Sequence, residues 1–157
     1  MLIRKVLIVV FAVVPFMTAC HDDDDPYPPT ASASVADDSK SRNWIYENRA
    51  HNDIQQAIQV AVTMQDLWNA TKDVDSARQK LTQIGEHLDA AENNLRRIND
   101  ASCGYDLMWD IHANMTTMNR EFGRFLTTAN NKDLVRANEA LFAARSSIER
   151  YNALCAD

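Results

Sequence analysis

The residues best suited to chemistry in this chain gather around His112. Met108 lies four residues before it and Met115 three after, with Met118 a further three along and Trp109 nearby. On a helix, Met108, His112 and Met115 share one face. An imidazole among soft thioethers can bind Cu(I) or a haem iron, with Met64 as a candidate distant ligand. The same spacing is that of core filler, a role methionine performs well. There is no Cys-x-x-Cys-His for covalent haem. His51 is expected at a height similar to His112, with Glu47, Asp53, Asp106 and Asp110 toward the same end. A di-iron carboxylate site needs Glu-x-x-His pairs on two helices, and none occurs. These carboxylates therefore read as structural ion pairs or a solvated rim. Gly-x-Ser-x-Gly, a phosphate loop, a dinucleotide fingerprint and a zinc-protease helix are also missing from the sequence. The expectation is a protein that is not an enzyme and carries no cofactor. The alternative is a haem- or copper-binding bundle using His112 and a methionine.

Four helices must position these residues. All four prolines lie before residue 30, and only three glycines occur in 157 residues. The remainder lacks helix breakers and shows apolar residues at alternating three- and four-residue spacings, the pattern of a bundle seam. Helix 1 is predicted over 43–70, with Ala50, Ile54, Ala57/Ile58, Ala61, Met64 and Trp68. Helix 2 is predicted over 74–99, with Val74, Ala77, Leu81, Ile84, Leu88, Ala91, Leu95 and Ile98. Helix 3 is predicted over 103–128, with Leu107/Met108, Ile111, Met115, Met118, Phe122 and Phe125. Helix 4 is predicted over 132–154, with Leu134, Ala137, Leu141, Ala144, Ile148 and Tyr151, and Cys155 continues the series.

Asp73 is placed to cap helix 2, and Asn130 or Asn131 to cap helix 4. Short connections make consecutive helices antiparallel neighbours. The fold class is all-α, an up-down-up-down four-helix bundle over 42–157. A weak repeat at an offset of 53 aligns Glu86, Leu88 and Ala91 with Glu139, Leu141 and Ala144. It fits either a duplicated hairpin or two helices under one packing demand. Gly85 and Gly123 fall inside helices beside the seam and read as packing features that permit close approach. Trp44, Tyr46 and Trp109 are expected to be partly buried.

Three cysteines occur, at 20, 103 and 155. In a helical hairpin, residues at equal height are symmetric about the turn. The midpoint of 103 and 155 is 129, inside the expected turn 127–131. A disulfide between Cys103 and Cys155 is therefore expected. It would close a loop of about fifty residues and contribute ~4 kcal/mol by the chain-entropy argument.

Cys20 stands apart. It follows Arg4-Lys5, an apolar run from Val6 to Phe16, and Met17-Thr18-Ala19. A short basic start, a short apolar run and small residues describe a secretory signal, and the run is too short to span a bilayer. Cysteine directly after Thr-Ala resembles the lipobox of bacterial lipoproteins. The resemblance covers residues 1–20 only. It implies cleavage of 1–19, a diacylglycerol on the Cys20 thiol and an acylated amine, together a stable anchor. His21, where Asp would favour the inner membrane, implies the outer membrane facing the periplasm.

Residues 20–41 are acidic and rich in Pro, Ser and Ala, and are expected to be a disordered tether of up to ~70 Å. The run Asp22 to Asp25 lacks the turn glycine of a calcium loop and reads as solvated charge. Removing Arg4 and Lys5 with the leader takes the net charge from −6 to −8, which disfavours nucleic acid and anionic head groups. The expected role is a lipid-anchored module for a protein partner, either an immunity lipoprotein or a secretion accessory like a pilotin.

Overall fold

The computed structural model describes the backbone over residues 34–98 and 103–155, with side chains from residue 43 onward. Four helices follow one another: α1 (Ser34–Thr71), α2 (Val74–Leu95), α3 (Tyr105–Thr128) and α4 (Asn131–Cys155). They form the expected bundle. α1 packs along α2 and α3 along α4, and α2 also touches α3. Across the diagonals the bundle is skewed. α1 approaches α3 more closely than α4, and among the described residues α2 and α4 do not meet. Trp68 spans the short diagonal, meeting Phe122 and Phe125 of α3 edge-on at centroid distances of 5.8 and 5.5 Å. No helix among the described residues is long and apolar enough to cross a membrane.

The seam read from spacing is the core observed. Ala50, Ile54, Ala57, Ala61 and Met64 are buried on α1. Ala77, Ile84, Leu88, Ala91 and Leu95 are buried on α2, and Met108, Ile111, Met115, Met118 and Phe122 on α3. On α4 the buried set includes Ala137, Leu141, Ala144 and Tyr151. Eight large apolar side chains are fully buried, each stabilising by about 1.5–3 kcal/mol. Their sum exceeds what one cross-link adds, so burial drives the fold and the disulfide constrains one end of it.

The helix ends differ from expectation in ways the local bonding explains. α1 begins at Ser34, so residues 34–41, expected as tether, lie within it. The leader (1–19), Cys20 and the rest of the expected tether lie outside the described residues. α2 stops at Leu95, four residues early. The amides of Arg97 and Ile98 turn to the carbonyls of Asn94 and Leu95 at 3.0 and 3.2 Å, a tightened last turn. Asp73 caps α2 as expected, accepting from the amides of Asp75 and Ser76 at 3.0 and 3.3 Å. Of the two asparagines considered for α4, Asn130 is the cap, accepting from the Lys132 amide at 3.1 Å.

α3 starts at Tyr105, after Gly104 in a left-handed conformation with φ of 78°. A Cβ there would clash with two carbons at the edge of the Tyr151 ring and lie 3.0 Å from the Cys155 sulfur. Glycine is therefore required at 104 on two counts. The glycines singled out from sequence are less demanding. A Cβ at Gly85 or Gly123 would meet Asn119 Nδ2 at 3.6 Å or Leu81 Cδ1 at 3.8 Å, ordinary contacts. Close helix approach does not depend on either.

Cys103 and Cys155 are bonded, with Cα atoms 5.6 Å apart and a sequence separation of 52. Reducing this bond, or replacing both cysteines with serine, is expected to lower unfolding free energy by about 4 kcal/mol. Urea denaturation of the oxidised and reduced protein measures it. An unchanged midpoint would show that the loop is already ordered in the unfolded chain.

Candidate functional site

The polar residues that converge do so at the stapled end of the bundle. Tyr151 of α4 lies against Gly104 on one side and His51 of α1 on the other, the two rings 4.6 Å apart and tilted by 34°. The Tyr151 hydroxyl donates to Glu47 Oε1 at 3.3 Å. Gln55 Nε2 donates to His51 Nε2 at 3.2 Å, which requires a neutral ring with its proton on Nδ1. Glu47, His51 and Gln55 share one stripe of α1 because they are four residues apart.

The electrostatics keep this cluster uncharged at its centre. Burial lowers the His51 pKa below its ordinary value, against the opposing pull of Asn152 and Glu47. Burial, then the Glu47 carboxylate, push the Tyr151 hydroxyl up to about 12. A phenol held protonated and an imidazole held neutral, each committed to a neighbour, tie α1 to α4. Neither is an activated nucleophile, and Glu47 is occupied by the tyrosine. Chemically the cluster is an adhesive between helices.

His112 is elsewhere and has a different partner. Its Nε2 donates to the Leu88 carbonyl of α2 at 3.2 Å, and Trp109 packs edge-on at 5.6 Å. Met64, Met108, Met115 and Met118 are fully buried in the common core. Trp68 meets α3 at Phe122 and Phe125, which sets Met64 about two turns above His112. His112 and Met64 therefore do not fit an axial pair: the His112 Nε2 is engaged by a carbonyl and the Met64 thioether lies at another level.

The two histidines are not at similar heights either. His51 stacks on Tyr151, which contacts Gly104, and His112 is eight residues further along α3, roughly 12 Å. Nor do the carboxylates assemble. Glu47 takes the Tyr151 hydroxyl, and Asp53 accepts from Asn94 at 3.3 Å. Among the described residues no cluster of three or more His, Cys, Asp or Glu could hold a metal.

The aromatics divide. Tyr46 is half-buried under the Arg97 guanidinium, and Trp109 is half-buried beside Tyr105. Trp44 is 67% exposed, contrary to the expected partial burial, because it lies one turn beyond Glu47, where α4 is ending.

The sequence reading passed over Glu121 and took Asp133 only as a first-turn carboxylate of helix 4, yet both are buried. Glu121 lies in the seam beside Phe122, with Oε1 3.0 Å from Arg120 and 3.6 Å from Arg124 and Oε2 without a partner. Asp133 is buried in the α3–α4 turn, where the Thr128 hydroxyl donates to it at 3.2 Å. The pair of arginines around 121, and the third position after the Asn130 cap, were the available signals.

Comparison with protein-family models, with curated proteins and with solved structures finds no match to this chain.

Because the folded state disfavours the imidazolium of His51, stability is full above pH 6.5. It declines as pH falls from there toward the lowered folded pKa. An NMR titration is expected to place the His51 midpoint below 6.5. His51→Gln is expected to flatten the fall in stability between about pH 7 and 5. A midpoint at or above 6.5 would contradict the burial effect.

Proposed function

We propose that this protein is a bacterial lipoprotein, anchored through Cys20, that presents a rigid helical bundle to the periplasm as a binding module for a protein partner. The carrying observation concerns cysteine pairing. The two cysteines inside the bundle bond to each other, which leaves the third, at position 20, for acylation in the lipobox-like context Met17-Thr18-Ala19. A structural disulfide also suits a compartment where thiols oxidise. The absence of an activated group around Tyr151 and His51 supports binding over catalysis, and so does the commitment of His112 to Leu88. An immunity role and a pilotin-like secretion role are two forms of such a module. The leader and His21 support an outer-membrane address.

Metabolic labelling with palmitate, followed by cell fractionation, tests the anchor. Label is expected in the wild-type chain, recovered with the outer membrane. Cys20→Ser is expected to lose the label and leave the protein with its leader uncleaved. Equal labelling of Cys20→Ser, or none in either chain, would overturn the reading.

A further inference from the structure

The outer face of α4 carries apolar side chains that the bundle does not use. Ala137, Ala140, Leu141 and Ala144 face the core, and Val135 and Phe142 emerge on the opposite side of the helix, 54% and 74% exposed. Phe142 is the most exposed large apolar residue described. Seven residues separate it from Val135, two turns of the helix, so both lie on one stripe.

Beside Val135 the same helix forms a cleft of about 360 Å³, lined by Asn131, Lys132, Val135, Arg136 and Glu139. Lys132, Val135, Arg136 and Glu139 stand at i, i+3, i+4 and i+7. Four residues so spaced are the hole that receives one side chain from a facing helix. α4 thus carries a knob at Phe142 and an open hole centred about two turns before it. We infer that the partner of this face is a second copy of the chain, with two α4 helices crossing antiparallel about a two-fold axis near Asn138 and Glu139.

The complementarity is in shape and in charge. In the antiparallel pair, Phe142 of each copy enters the hole around Val135 of the other. In the same alignment Arg136 of one copy and Glu139 of the second are offset by two residues, about 3 Å along the helices, within reach of an ion pair for side chains of this length, and the symmetric pair likewise. A two-fold across antiparallel helices brings like flanks together, so both ion pairs form on the flank where Arg136 and Glu139 already sit. An isologous contact must be self-complementary in this way. A parallel pairing would set Arg136 against Arg136 and Phe142 against Phe142, leaving the holes empty. The axis lies across α4, so it can stand normal to a lipid leaflet, and both chains then reach that leaflet from the same side. The inference itself does not depend on the anchor.

Sedimentation equilibrium of the full chain, in detergent matched to solvent density, tests this contact. The wild type is expected to be a reversible dimer. Phe142→Glu is expected to weaken it roughly thirty-fold or more. Arg136→Glu and Glu139→Arg are each expected to weaken it about ten-fold. The double exchange Arg136→Glu/Glu139→Arg restores both ion pairs with reversed sign and is expected to recover the dimer to within about three-fold. All three positions are on the solvent side of α4, and circular dichroism is the check that each variant folds. A monomeric wild type, a dimer indifferent to Phe142→Glu, or a double exchange no better than the single changes would each overturn the inference.

Discussion

The structure turns on the contact among Cys155, Tyr151 and Gly104. The disulfide fixes the last residue of α4 to Cys103, one residue before Gly104. Gly104 can lie against the Tyr151 ring only because it has no side chain and takes a left-handed backbone. Tyr151 in turn carries α1, through the ring of His51 and the carboxylate of Glu47. Three of the four helices are thus joined at one end. The α1–α4 edge is the weakest of the packed edges, and this cluster, with the Gln65–Asn138 hydrogen bond at 3.0 Å, is what holds it.

The opposite end is secured differently. Both hairpin turns there hold a non-glycine residue in the left-handed region, Lys72 at φ 56° and Ala129 at φ 54°. Lys72 recovers part of that cost by placing its ammonium 5.3 Å from the Trp68 ring centroid. Trp68, Phe122 and Phe125 supply apolar mass across the short diagonal. One end relies on a covalent staple and polar contacts, the other on aromatic packing. This division explains how a core rich in alanine, with its small contacts along α1, still holds four helices in one arrangement.

The sequence made the core legible because bundle seams repeat every three or four residues, and burial at Ile54, Ile84, Ile111 and Leu141 follows that repeat. The disulfide was legible from symmetry about the α3–α4 turn. Helix ends were less so, since the tightened turn after Leu95 and the start of α1 at Ser34 depend on local hydrogen bonds that hydrophobic spacing does not encode. Individual contacts were the least legible. Nothing in the spacing of Met108, His112 and Met115 said that the imidazole would turn to the Leu88 carbonyl. Equally, Gly104 stood out only once Tyr151 was seen against it, and Phe142 reads as an ordinary helical residue until its exposure is known.

Pairing of the two bundle cysteines underlies both the packing of the stapled end and the assignment of Cys20 to the anchor. Alkylation of free thiols in the unreduced, full-length protein, followed by peptide mass mapping, tests it most directly. The account predicts one cross-linked species joining the peptides of Cys103 and Cys155, and a Cys20 peptide that carries acyl mass and no alkyl label. Alkylated Cys103 or Cys155, or a disulfide from either to Cys20, would contradict it.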